Sequence, residues 1–108
     1  MKKTLIGILA VGTLVTGAQA TCASYGCTGE VTRLQVTQAG NVQVGIAGTA
    51  ASMNCTPVAN SFSEINLATA GGNAIYSALL TAKTTGKPIL VRIVEGSSNC
   101  QIAYVNPQ

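Results

Sequence analysis

Residues 75–91 read Ile75-Tyr76-Ser77-Ala78-Leu79-Leu80-Thr81-Ala82-Lys83-Thr84-Thr85-Gly86-Lys87-Pro88-Ile89-Leu90-Val91. This is the pattern of an amphipathic helix, a glycine stop, a proline and a buried strand. Ile75, Leu79 and Ala82 recur at i, i+4, i+7, the spacing of a core-facing stripe. Gly86 suits the left-handed conformation that ends a helix, and Pro88 cannot continue one. Ile89 to Val94 is apolar and largely β-branched apart from Arg92, as in a strand covered on most of both faces. One helix passed directly to a core strand, in a chain otherwise patterned as β, predicts an all-β fold with a single helix.

The domain proper begins after a leader. Lys2 and Lys3 form a positive n-region, Leu5 to Val15 an apolar h-region, and Ala18-Gln19-Ala20 an A-x-A cleavage site. The apolar run is too short and too glycine-interrupted for a membrane anchor. Gln19-Ala20-Thr21 before Cys22 does not fit a lipoprotein box. Residues 1–20 are thus expected to be a secretory signal peptide, and residues 21–108 a single domain of 108 − 20 = 88 residues, secreted or periplasmic. Without Lys2 and Lys3 the charges are Arg33, Lys83, Lys87 and Arg92 against Glu30, Glu64 and Glu95, a net 4 − 3 = +1. No basic stripe remains for a nucleic acid to follow, and no basic–aromatic interleaving for single strands.

A domain this small buries only about 60–65% of its unfolded surface and usually needs staples. Cys22, Cys27, Cys55 and Cys100 can supply them in an oxidising compartment. Three pairings exist. The expected one is Cys22–Cys27, closing a short N-terminal loop, with Cys55–Cys100, tying a mid-chain loop to the last strand. Zinc is the sharper reading of four cysteines, but paired C-x-x-C spacing and histidine are both missing. No metal and no cofactor are expected.

Along the domain, Gly29 to Gln38 reads as a first strand, with a bulge near Thr32-Arg33 where Val31, Leu34 and Val36 break alternation. Gly40-Asn41 is a turn, and Val42, Val44 and Ile46 alternate as a paired second strand. Gly48 to Asn60 is a loop pinned by Cys55. Phe62 to Ala68 is a third strand with Ile65 and Leu67 inward. Thr69 or Asn73 is expected to cap the helix. Ile89 to Val94 and Cys100 to Val105 are the fourth and fifth strands. Three strands, a helix between strands 3 and 4, then two strands is the element order of a five-stranded OB-fold-like barrel. An open α+β roll has the same order.

The run Tyr76-x3-Leu80-x3-Thr84-Thr85-Gly86-x-Pro88 resembles the helix-to-strand segment of the binding subunit of subtilase cytotoxin, one of the pentameric bacterial toxin B subunits. Cys27-Thr28-Gly29-Glu30-Val31 falls where that subunit also begins its first strand, and Cys55 falls near one of its cysteines. The resemblance spans roughly Ser24 to Ile93. It implies an OB-fold barrel in a homopentameric ring with helices around the pore, binding sialylated cell-surface glycans and carrying an enzymatic A-type subunit. The family's glycan pocket uses a hydroxyl at the start of the first strand, here Thr28. Ser24 stands where an acidic residue precedes it. The tyrosines of the strand after the helix are replaced within Leu90-Val91-Arg92-Ile93, and the acidic end of the second strand reads Ile46-Ala47-Gly48. The expectation is a shared fold with an altered sugar site.

Histidine, aspartate and tryptophan are absent from the chain, which removes Ser-His-Asp, Cys-His and metal–histidine arrangements. Glu30, Glu64 and Glu95 read as solvated edge charges and not as a catalytic pair. The chain is not expected to be an enzyme. Sugar recognition needs an aromatic platform and groups that grip hydroxyls. Phe62 and Tyr104 read as core or half-core, which leaves Tyr25, in the cysteine-closed loop beside Ser24 and Thr28, as the candidate platform. Packing of Tyr25 against the Cys22–Cys27 bridge is the alternative. On the helix, Asn73, Ser77, Thr81 and Thr84 form a small, uncharged face suited to close approach of helices around an axis, or simply to an exposed threonine-rich surface. Two functions follow. One is a carbohydrate- or receptor-binding subunit acting as a homo-oligomeric ring. The other is a structural or interaction protein of the periplasm or cell surface without a small-molecule ligand.

Overall fold

The computed structural model describes residues 20–48 and 50–108. Apart from Ala20, the expected signal peptide lies outside these residues. The architecture is mostly β with one α-helix. In chain order the elements are β1 (Thr21–Ala23), β2 (Gly26–Gly29), β3 (Val31–Val36), β4 (Asn41–Ile46), a 3-10 turn (Ala50–Ser52), β5 (Ser63–Asn66), α1 (Gly72–Thr85), β6 (Ile89–Ile93) and β7 (Ile102–Pro107). Two open antiparallel sheets result, ordered β1-β2-β6-β7 and β3-β4-β5.

The sequence predicts five strands, and the described residues form seven. The extra ones come from the cysteine loop. Thr21–Ala23 and Gly26–Gly29 form a hairpin in which Cys22 faces Cys27, and the bridge between them has a Cα–Cα distance of 4.0 Å. The first strand is not continuous from Gly29 to Gln38. The chain leaves one sheet at Gly29, passes Glu30, and enters the other at Val31. Its bulge is where the broken alternation put it, with the register shifting between Val31 and Arg33.

Strand β7 starts two residues later than expected, because Asn99 (φ 63°) and Cys100 (φ 46°) are left-handed and cannot extend a strand. The third strand is trimmed to Ser63–Asn66, although Leu67 still packs on the core from the turn beyond it. No closed barrel is present among the described residues. Strand β5 is linked to the residue just before β7 by an isolated parallel bridge, Glu64 to Gln101.

Helix α1 ends as the sequence predicts: Gly86 is left-handed at φ 72°, and its N–H donates to Ala82. Its start differs. Gly71 is the N-cap residue and no side chain caps the helix. Thr69 turns its hydroxyl back to the carbonyl oxygen of Asn66 at 2.7 Å, so it cannot cap forward. Asn73 already lies inside the helix. Gly72 is required by close approach, since a Cβ there would lie 2.5 Å from the Asn66 carbonyl oxygen.

The main core joins Val31, Val42, Val44, Ile65, Leu79, Ala82, Ile89 and Val91, with Ile75 packed against it. The helix therefore seats on the sheets through the predicted stripe. A second cluster of Cys27, Met53, Ile93 and Cys100, with Cys22 and Cys55 beside it, gathers around the sulfur atoms. Cys55 and Cys100 are bridged with Cα atoms 5.1 Å apart, and no cysteine is free. Both bridges match the expected pairing and point to an extracytoplasmic, oxidising compartment. Among the described residues, no helix is long and apolar enough to cross a membrane.

Candidate binding face

The hairpin tip Ser24-Tyr25 is clamped through its backbone. The Asn54 N–H donates to the Ser24 carbonyl (2.9 Å) and the Ile93 N–H to the Tyr25 carbonyl (2.9 Å). This fixes the tip against both the 48–60 loop and strand β6, leaving the Tyr25 side chain 42% exposed. Arg92 lies over the Tyr25 ring at 5.0 Å from the centroid, within cation–π range. The ring thus packs on a guanidinium.

Strand β6 alternates between buried Ile89, Val91 and Ile93 and half-buried Leu90 and Arg92. Its outward residues set the rows of a face. Arg92 pairs with Gly26 on one side and Tyr104 on the other; Leu90 pairs with Thr28 and Asn106. Thr28, Arg92, Tyr104 and Asn106 therefore share one side of the four-stranded sheet.

Tyr104, which the sequence reads as core or half-core, is 48% exposed. The cause is a bulge. Ile93 pairs with Ile102 while Arg92 pairs with Tyr104, leaving Ala103 as an extra residue. Simple alternation from inward Ile102 would turn Tyr104 inward; the inserted residue reverses it.

The structure therefore brings Tyr25 to Arg92 and places Thr28 one row away on the same side. Ser24 stays at the exposed tip. None of the three predicted residues lines the clefts beside Phe62 or at the helix C-terminus. Arg92 and Tyr104 are the residues that sequence reasoning missed. The lone charge in an otherwise apolar strand was the available signal for Arg92.

On the helix, Asn73, Ser77, Thr81 and Thr84 are all exposed. Thr84 donates its hydroxyl to the Leu80 carbonyl at 2.8 Å, which turns the polar atom onto the helix and its methyl group outward. With Leu80 46% exposed beside it, this face is less polar than its composition. Thr81 also lines a largely apolar groove of about 240 Å³ with Ala78, Ala82, Pro88 and Pro107.

Glu64 accepts from Gln101 (3.0 Å) and Asn99 (3.3 Å), and Glu95 from Asn54 (3.2 Å). Both carboxylates serve as anchors for neighbouring amides. The described residues hold no group of three or more metal-ligating side chains. No protein family, curated protein or solved structure matches this chain.

Proposed function

We propose that this chain is an exported, non-catalytic binding subunit that recognises a cell-surface glycan and works as a homopentameric ring. The observation that carries the reading is the Tyr25–Arg92–Tyr104 row with Thr28 beside it, two exposed rings with a half-buried cation and hydroxyl between and beside them. Aromatic faces take the apolar side of a pyranose, and Arg92 and Thr28 offer groups for its polar substituents. Arg92 supplies a positive charge near the Thr28 position, where the resembled toxin subunits place acidic and tyrosine residues.

The pairing pattern supports an OB-like barrel. The path runs from β3 to β4 to β5, crosses at the Glu64–Gln101 bridge to the residue that leads into β7, and returns through β6 and β2 into β3. In chain order the helix lies between β5 and β6, the third and fourth strands of an OB-fold when β2 and β3 count as one. An enzymatic A-type subunit would be carried by the ring.

A single site of this kind is weak, with Kd on the order of a millimolar, and useful binding comes from five sites acting together. On a glycan array, the purified exported protein is expected to bind a defined set of glycans. Thr28→Ala and Arg92→Ala should each lower the signal at least about tenfold, amplified by avidity. A blank array, or variants that bind like wild type, would refute the glycan reading.

Light scattering is expected to give five times the protomer mass. Thr81→Glu should reduce it to the monomer, because five like charges would meet around one axis. A wild-type monomer at micromolar concentration would rule out the ring.

One observation favours the second reading, a structural or interaction protein without a small ligand. Arg92 already covers one face of Tyr25, as expected if the pair only locks the hairpin tip to strand β6.

A further inference from the structure

The outer side of the three-stranded sheet carries a second, separate cleft of about 410 Å³, within the roughly 300–1,000 Å³ range of small-molecule sites. Gly45 is its floor. A Cβ at Gly45 would meet the Thr32 hydroxyl oxygen at 3.0 Å, Arg33 Cβ at 3.3 Å and Phe62 Cε1 at 3.3 Å. The β3 bulge explains the first two contacts. It sets both Thr32 and Arg33 against the outward side of Gly45, where regular alternation would show only one of them. Arg33 stands over the Phe62 ring at 5.3 Å. The cleft therefore has a base of Gly45 and Ile46, one wall of Thr32, and an opposite wall of Phe62, Ser61 and Asn60.

The far wall is held in a costly shape. Ala59 and Asn60 are consecutive left-handed residues (φ 51° and 61°), and the Ser61 N–H closes their turn on the Val58 carbonyl at 2.9 Å. Alanine has no local hydrogen bond to offset that conformation. Strain of this kind is retained where the surrounding structure needs the geometry. Here it presents the Asn60 amide and the Ser61 hydroxyl at the cleft. Among the described residues, the side chains of Thr32, Asn60 and Ser61 make no hydrogen bond to the protein.

We infer that this cleft binds a neutral pyranoside, with Phe62 against the C–H groups of the sugar and Thr32, Asn60 and Ser61 on its hydroxyls. Among the described residues, no charged side chain lines the cleft. Arg33 is held over the Phe62 ring, and the Glu64 carboxylate is buried and occupied by Asn99 and Gln101. An uncharged ligand matches such a lining. This site does not depend on the Tyr25–Arg92 face or on ring assembly.

The test is titration of the purified exported protein with lactose, maltose and N,N′-diacetylchitobiose, followed by backbone amide shifts. At least one sugar should shift the amides of Thr32, Gly45 and residues 60–62 with a Kd in the range of about 1–10 mM. Asn60→Gly suits the left-handed turn and removes only the amide side chain, and Thr32→Val preserves shape; each should weaken binding at least about tenfold with the rest of the spectrum unchanged. Shifts confined to Tyr25, Thr28, Arg92 and Tyr104 would overturn the cleft while upholding the other face. No shifts at all, or undiminished binding by Asn60→Gly, would also overturn it.

Discussion

The double variant Cys55→Ala/Cys100→Ala is expected to lose about 4 kcal/mol of unfolding free energy, whereas Cys22→Ala/Cys27→Ala should lose only about 2. The difference follows from loop length: the bridges span sequence separations of 45 and 5, and chain entropy in the unfolded state grows with the loop released. A domain of this size has about 5–10 kcal/mol in total, so the long bridge accounts for a large share of it. Packing adds to the cost. Cys100 is fully buried among Met53, Ile93 and Cys27, and the bridge anchors a turn whose last residue is left-handed. Urea denaturation of the two variants measures both losses. A larger loss from the short bridge would show that local geometry, and not loop closure, governs its contribution.

What could be read from sequence was what is decided locally. The helix stripe, the Gly86 stop and the β3 bulge each depend on a few adjacent residues, and each is where its signal placed it. The β1–β2 hairpin is different. Thr21-Cys22-Ala23 and Gly26-Cys27-Thr28-Gly29 carry almost no alternation of large apolar and polar side chains, so nothing marks them as strands. They are strands because the bridge closes the hairpin and β6 pairs with its second arm. Thr69 looked like a cap, but the turn at Asn66 used its hydroxyl first.

The site divides the same way. Exposure of Tyr25 followed from its place in a short closed loop. Its contact with Arg92 did not, since that depends on the register between two strands far apart in the chain. Tyr104 was read as core or half-core because it alternates with Ile102; the bulge at Ala103 shows in the sequence only as the odd spacing of Ile102 and Val105.

Leu79→Ala should cost about 3 kcal/mol, within the 2–5 kcal/mol span of buried leucine truncations. Leu79 is fully buried in a cluster that joins residues of both sheets, Val42, Val44 and Ile65 from one and Ile89 and Val91 from the other. Leu79 is the only large side chain of the helix that is fully buried. A 14-residue helix is marginal by itself, its N-terminus lacks a side-chain cap, and Ile75 is only half-buried. Removing Leu79 therefore opens a cavity where the two sheets are joined.

Leu80→Ala is the paired measurement. Leu80 is 46% exposed in the single chain, so in a monomer its loss should stay within about 0.5 kcal/mol. In a ring that buries this face, the same substitution should destabilise the assembly by an amount that depends on protein concentration. Thermal unfolding at two concentrations distinguishes these outcomes. A concentration-dependent penalty at Leu80, beside a constant one at Leu79, would place one side of the helix in the core and the other against a neighbouring subunit.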